Sequence, residues 1–320
     1  MTAIPENDRP VTCPRCGCTR TDGLGPFCDR RKGLPGQWHF RRCAGCECAF
    51  QSPMPSEADL REYYSHYADG VRGAGRTGAG TKYPRLRRTY HMLTGSVDPR
   101  DFIRSRPGLR VLDVGCGEAP YLIDFAARGC DVAGAEIAQD IVTAYRERGF
   151  DVRAMVDGET IPFEDDRFDV VYMMQVIEHV RRPDRLFAEL SRVTRRGGSV
   201  YMACPNGRSP WRRAFGAAWV SGWFAPFHLF VYTAPALAVL GAQHGFSLVR
   251  AWTRTPEAWL RLNLLAALRP GERCIERIPD GWVDRLVGRP ARMLLARVAD
   301  VLTGQGDCLV VAFRKTEREQ

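Results

Sequence analysis

Between residues 107 and 205, short apolar runs alternate with amphipathic stretches, and this alternation restricts the fold more than any other feature of the chain. Leu109 to Val114 reads as a buried strand, and Pro120 opens a helix that Gly129 closes. Cys130 to Glu136 reads as the next strand, followed by a helix ending at Gly149. Val152 to Met155, Phe168 to Met174 and Ser199 to Cys204 supply three more strands. The last is preceded by a helix from Asp184 to Arg196, stopped by Gly197 and Gly198. Strands joined through helices by short connections need right-handed crossovers and a sheet covered on both faces. The expected class is α/β with a doubly wound sheet.

Composition divides the rest. The 320 residues are 45% hydrophobic and 26% charged, which suits one large or two medium domains and excludes a disordered chain. Residues 1–54 hold seven of the twelve cysteines. Residues 55–106 read as a helical linker, started by Ser56 as a cap and containing a glycine-rich loop from Asp69 to Gly80. Residues 107–320 form the main domain, with 206–305 as a cap of loops and helices. From 214 to 249 there is no Asp, Glu, Lys or Arg. Pro226, Pro235, three glycines and His228 interrupt that run, so a buried segment is expected rather than a membrane-spanning helix. Thr233 and Pro235 start a helix within it that Gly245 ends. Such a segment leaves room for peripheral contact with a membrane.

The formal charge of +9 arises from 43 Arg and 3 Lys spread along the whole chain. That distribution reads as a diffuse solvated surface rather than a nucleic-acid tract. Met1 to Pro10 is polar and shows no export signal, so a cytoplasmic location is expected.

Clustered cysteines in a reducing compartment point to metal. Cys13-Pro-Arg-Cys16 and Cys43-Ala-Gly-Cys46 are two knuckles separated by 26 residues. Each can place two thiolates on one ion, and together they complete a tetrahedral shell for a structural zinc. Cys18 and Cys48 follow their knuckles by two residues and are alternative ligands. A closed four-sulfur shell has no open position, so this zinc would hold structure and do no chemistry. The segment is expected to be a small zinc ribbon.

Val111-Leu-Asp-Val-Gly-Cys-Gly117 runs from a strand into a Gly-x-Gly turn, and Glu136 ends the next strand. The glycines let the backbone approach a ligand, and an acid 19 residues beyond Gly117 is placed for ribose hydroxyls. Pro120 at the third glycine position and the acids Asp113 and Glu118 argue against a pyrophosphate. Carboxylates there suit a ligand bearing an ammonium and a sulfonium, as S-adenosylmethionine does.

With these residues in view, the chain resembles the class I S-adenosylmethionine-dependent methyltransferases, which have a Rossmann-like sheet. Leu112-Asp-Val-Gly-Cys-Gly117 is similar to their first motif, although Glu118-Ala-Pro departs from the usual further glycine. Asp157-Gly-Glu-Thr-Ile-Pro-Phe163 resembles the segment whose acid reaches the adenine amine. Arg167-Phe-Asp-Val-Val171 and Val176-Ile-Glu-His-Val180 resemble their fourth strand and its turn. Arg192 to Gly198 and Cys204-Pro-Asn206 resemble the helix and fifth strand. His228, Val231-Tyr-Thr and Gly245-Phe246 are similar to the ubiquinone-biosynthesis type of O-methyltransferase. The resemblance implies a cofactor site of Asp113, Gly115, Cys116, Gly117, Glu136, Ile137, Asp157, Gly158 and Gln175.

An oxygen acceptor must lose its proton, and histidine is poised for that near neutrality. His228 is the expected general base, because aromatic surroundings would keep it neutral. His179 is the second candidate, with Glu178 beside it. Gln175, Glu178 and His179 fall at i, i+3 and i+4, so one helical turn would present all three. Some small-RNA 2′-O-methyltransferases and ubiquinone-type enzymes bind a second, divalent metal through a similar Glu-x-x-Glu-His plus a distant His, but here the first Glu is Gln175, which weakens that site. Trp211, Trp219, Trp223, Phe224 and Phe227 are expected to wall an acceptor pocket for a sugar, a natural product or a lipid-linked glycan. The rival expectation is an RNA methyltransferase that docks through the ribbon and Arg41, Arg42, Arg85, Arg87 and Arg88. A carbon methylation in a sugar pathway is a further alternative. The oligomeric state is not legible in the sequence.

Overall fold

The computed structural model describes residues 11–71, 84–118, 121–278 and 281–316; Pro120 and the glycine-rich loop beyond residue 71 lie outside them. Strands run along the chain as β1 (Thr21–Phe27), β2 (Trp38–Cys43), β3 (Ala49–Gln51), β4 (Arg110–Val114), β5 (Asp131–Glu136) and β6 (Asp151–Ala154). After them come β7 (Phe168–Met174), β8 (Thr194–Pro205), β9 (Phe230–Val231), β10 (Phe246–Arg254) and β11 (Cys308–Lys315). The described residues form two compact units. Among them, one takes in 11–71, 205–236, 253–278 and 281–308, the other 84–118, 121–204, 237–252 and 309–316.

The second unit carries a seven-stranded sheet of order β10-β11-β8-β7-β4-β5-β6. Neighbours from β6 through β8 are parallel. The chain steps outward from β4 to β6, then returns to the other side of β4 with β7 and β8. That reversal is the switch point of the doubly wound fold, and it opens a crevice where β4 and β7 end. Val111, Leu112, Val114, Val171, Tyr172 and Met173 are all buried, the near-continuous apolar pattern of a sheet covered on both faces. The helix Pro183–Val193 covers it with Leu186, Phe187, Leu190 and Val193 on one face, and Pro183 occupies the first turn, where no N–H is needed. This helix stops at Val193 instead of Arg196. Thr194 pairs with Phe168 on β7, so sheet pairing takes over before the two glycines are reached.

The first unit carries an antiparallel sheet of order β1-β2-β3-β9. Its last strand comes from the uncharged run, so the cysteine-bearing segment folds together with residues that lie far along the chain. Phe27 and Phe40 pack with Trp211, Trp219 and Trp223 in one core, and Phe27 stacks on Trp223 at 4.5 Å. These three tryptophans do not wall a pocket; they are the core itself. They can be buried because each indole N–H reaches an acceptor. Trp211 donates to Thr255 Oγ1 at 2.9 Å, Trp219 to Asp307 Oδ1 at 2.5 Å and Trp223 to the Gly216 carbonyl at 3.0 Å. Asp307 also accepts from Ser209, Ser221 and Asn263, and burial pushes its carboxyl up to about 6 against the pull of these donors.

Ser56 caps the helix Glu57–Val71. The Asp59 N–H donates to Ser56 Oγ at 3.1 Å, and Ser56 N–H donates back to Asp59 Oδ2 at 2.7 Å. The helix Ala234–Gln243 starts after Thr233 as expected. Among the described residues, no helix is long and apolar enough to cross a membrane.

Candidate functional site

The crevice of the second unit is built around the turn after β4. Gly115 and Gly117 adopt φ of 71° and 48°, which L side chains rarely tolerate. A Cβ on Gly115 would lie 2.5 Å from Val176 Cγ2, so a side chain is excluded where β4 and β7 end together. A Cβ on Gly117 would meet nothing within 4 Å, so its backbone faces open space that a ligand can approach. Glu136 fixes this turn to the tip of β5. Its Oε2 accepts from Gly117 N–H at 2.8 Å, and Oε1 accepts from Ile137 and Ala138 N–H at 2.7 and 3.0 Å. Beneath the turn, Asp113 and Cys116 are buried, and Asp113 stands in register with Tyr172 on β7.

Burial pushes the Asp113 carboxyl up to about 8, and the charge on Glu136 pushes it the same way. Burial alone penalises charge of either sign, whereas the neighbouring Glu136 carboxylate favours a cation there. An ammonium placed against Asp113 would take the place of its proton, and the sign of the linkage follows. Below about pH 8, binding such a ligand releases a proton, so affinity rises with pH. Above it, the ligand's own amino group, of pKa about 8, begins to lose its charge. S-adenosylmethionine affinity measured by calorimetry is expected to peak near pH 8. A flat profile on the acid side would remove Asp113 from the ammonium site.

Around the ends of β5 and β6, Ile137 is 63% and Val156 95% exposed. A Cβ on Gly158 would sit 3.7 Å from Ile137 Cδ1, so the glycine leaves that aliphatic side chain accessible. Val156 escaped the sequence reading; its signal is an apolar residue directly before an Asp-Gly turn. Asp157 Oδ1 accepts from the N–H groups of Glu159 and Thr160, and Oδ2 accepts from the Thr160 hydroxyl. Partial burial raises its pKa, but these donors prevail and hold the carboxyl below its ordinary range.

The helical turn expected to join Gln175, Glu178 and His179 does not form. Gln175 takes a left-handed conformation, φ 59°, and its N–H donates to the Ala203 carbonyl oxygen at 2.8 Å. Only Ile177–His179 follows, as a single 3₁₀ turn, so the spacing of an α-helix does not apply. Glu178 is fully buried, and burial pushes its carboxyl up to about 8, which keeps it protonated at neutral pH. Positive φ at a non-glycine residue beside a strand end marks strain of the kind found at functional sites.

In the first unit, His228 is buried, and its Nδ1 lies 2.8 Å from the Gly222 carbonyl oxygen. A carbonyl only accepts, so Nδ1 carries the proton and Nε2 is the basic nitrogen. Phe224 stands edge-on to the imidazole at 5.3 Å.

The same unit brings Cys13, Cys16, Cys43 and Cys46 together, with all four sulfurs within 4.8 Å of one another. Cys18 and Cys48 stay out of the cluster, and Cys18 donates instead to the Arg20 carbonyl. The knuckles are shaped by backbone bonds, Gly17 N–H to Cys13 O and Glu47 N–H to Cys43 O, while Gly45 and Cys46 N–H donate to Cys43 Sγ at 3.3 and 3.4 Å. Four thiols at this spacing, one receiving backbone donors, fit a tetrahedral thiophilic ion.

Two of the arginines considered for phosphate docking are internal. Arg41 is buried and donates to Thr21 Oγ1, and Arg87 is buried and paired with Asp101 at 3.5 Å.

Comparison with known proteins agrees with the geometry. A family model described as a methyltransferase domain matches residues 87–251. The ubiquinone biosynthesis O-methyltransferase of Hahella chejuensis is 34% identical over 119 residues, which cover 34% of this chain and 50% of that protein. Its namesake in Maricaulis maris is 35% identical over 127 residues, covering 36% and 49%. The chain thus spans about half the length of the curated relatives it matches. Among solved structures, a chain from the complex of the Haloferax volcanii Trm112 methyltransferase activator with a methyltransferase superposes with a TM-score of 0.51. It is 17% identical, over 80% of this chain and 98% of that one, a likeness of fold alone.

Proposed function

The chain belongs to the methyltransferase domain family, and from that premise we propose that it transfers a methyl group from S-adenosylmethionine to a hydroxyl of a small organic acceptor. The observation that carries this reading is the acidic crevice at the switch point, where Asp113 and Glu136 flank a glycine turn open to a ligand. Bound S-adenosylmethionine would supply an electrophilic methyl on sulfur with a good thioether leaving group. The protein's share is alignment, exclusion of water and proton removal. Asp113 binds the ammonium, Glu136 the ribose hydroxyls and Asp157 the adenine amine. Ile137 and Val156 offer apolar contact to the adenine faces. Nε2 of His228 takes the acceptor's proton, and His179 orients the substrate. One zinc on Cys13, Cys16, Cys43 and Cys46 holds the amino-terminal strands.

The relatives named as O-methyltransferases support oxygen as the acceptor atom. Sugars, natural products and lipid-linked glycans are the classes to try first, in a cytoplasmic setting. The RNA reading loses support because Arg41 and Arg87 point inward. The test is labelled-methyl transfer to a panel of sugar, phenol and lipid-linked hydroxyls, with a generic RNA as a further arm. Transfer to a hydroxyl compound supports the reading. Transfer to RNA alone, with steeply salt-dependent binding, would replace it.

A further inference from the structure

Within the first unit, residues 224–229 link the short helix Val220–Trp223 to β9 as a turn, and every one of them is buried. A buried turn leaves carbonyls without helix or sheet partners, and each needs a donor. Gln51 serves this turn. Its side-chain Nε2 donates to the Pro226 carbonyl and to the His228 carbonyl, both at 2.7 Å, and Gln51 is 1% exposed. Carbonyls only accept, so the partners decide which end of the amide is nitrogen. The Gln51 N–H donates to the Leu229 carbonyl at 2.9 Å. Three of the four carbonyls from Pro226 to Leu229 thus hang on one residue.

The residue type is specific to the task. A neutral carboxamide nitrogen donates twice, whereas an ionised glutamate would face two carbonyls with acceptors only and a lysine would bury a charge. Gln51 ends β3, whose Ala49 and Phe50 pair with Val231 and Phe230 of β9. The second cysteine knuckle, residues 43–46, lies in the turn from β2 into β3, where the Cys43 N–H donates to the Cys48 carbonyl at 2.9 Å. Arg15 of the first knuckle, itself buried, donates to the Ala236 carbonyl at 2.9 Å further along the same segment. The cysteine-bearing sheet therefore grips the histidine segment through named bonds. The imidazole is fixed separately, by its Nδ1–H on the Gly222 carbonyl. We propose that Gln51 is a positioning residue for methyl transfer, holding the turn that aims Nε2 of His228. This role rests on the reading of His228 as the general base, and it makes the cysteine-bearing sheet a support of the site instead of a docking module.

The test is a double-mutant cycle on the full chain, read by labelled-methyl transfer to the hydroxyl compound that the acceptor panel yields, and by nitrogen NMR of histidine-labelled protein. Gln51→Met keeps the length of the side chain and removes both donors. It should lower kcat by about 10²-fold, the cost of a misplacement of order 1 Å, and leave S-adenosylmethionine affinity unchanged. In a His228→Ala background the same substitution should cost nothing further, because the group it aims is gone. The His228 resonance, assigned by its loss in His228→Ala, should change from a fixed Nδ1–H tautomer to an average of the two. Should Gln51→Met not fold, Gln51→Asn, which keeps the carboxamide one methylene short, is read in the same way. Losses that multiply in the double variant would overturn the proposal, as would an imidazole and a turnover that Gln51→Met leaves untouched. Full turnover in His228→Ala would reject the base reading itself, and this role with it.

Discussion

Alanine in place of His228 is expected to lower turnover by about 10² to 10⁴-fold, the usual worth of general-base help, and to leave S-adenosylmethionine affinity unchanged. The expectation rests on the state of the imidazole. Its Nδ1–H is committed to the Gly222 carbonyl, which fixes the tautomer and makes Nε2 the proton acceptor. His228 is also the one titratable side chain in sequence between Arg213 and Tyr232. A hydroxyl attacking a sulfonium methyl is a far weaker nucleophile than an alkoxide, so loss of the base falls on the chemical step. Steady-state kinetics with the identified acceptor, together with calorimetry on the same variant, separates the two effects. If His228→Ala keeps near-full turnover and His179→Ala does not, the roles exchange. If both remain active, the acceptor atom is carbon or sulfur instead of oxygen.

The second large effect concerns the metal. Purified protein is expected to contain about one zinc per chain, and Cys13→Ala with Cys46→Ala should lose it and unfold the amino-terminal sheet. Structural zinc binding is worth about 10–16 kcal/mol, comparable to the whole 5–15 kcal/mol stability of an ordinary domain. The strands β1, β2 and β3 bury Phe27, Phe40 and Phe50 but few other large apolar groups of their own. With zinc on the four cysteines, the sheet would depend on the ion, on β9 and on the tryptophan core that Phe27 and Phe40 join. Elemental analysis and thermal melting with and without chelator measure both quantities. Zinc far below one per chain, or metal retained by the double variant, would contradict the assignment.

The parallel sheet was legible because its strands are short apolar runs whose periodicity survives any packing; β7 begins and ends at the expected residues, Phe168 and Met174. The four cysteines were legible because metal geometry constrains spacing. Tertiary context was harder to see. Thr194 joins β8 because Phe168 stands opposite it, a partner 26 positions away that no local pattern announces. The tryptophans looked like pocket walls because aromatic residues serve either role. What decided it was the location of acceptors for their N–H groups, above all Asp307, 88 residues from Trp219. Gln175 broke the supposed helical turn by adopting positive φ, a choice made by the strand end and invisible in residue type.

Calorimetric titration with S-adenosylmethionine is the most direct test of the crevice at the end of β4. Wild-type protein should bind, and Glu136→Ala should weaken binding by about 1.5–3 kcal/mol, roughly 10- to 150-fold, the scale of lost charge-assisted hydrogen bonds. Glu136→Gln, which keeps an acceptor for the Gly117 N–H, should fall between them. Undiminished affinity in Glu136→Ala, or tighter binding of a nicotinamide dinucleotide than of S-adenosylmethionine, would contradict the assignment of this pocket.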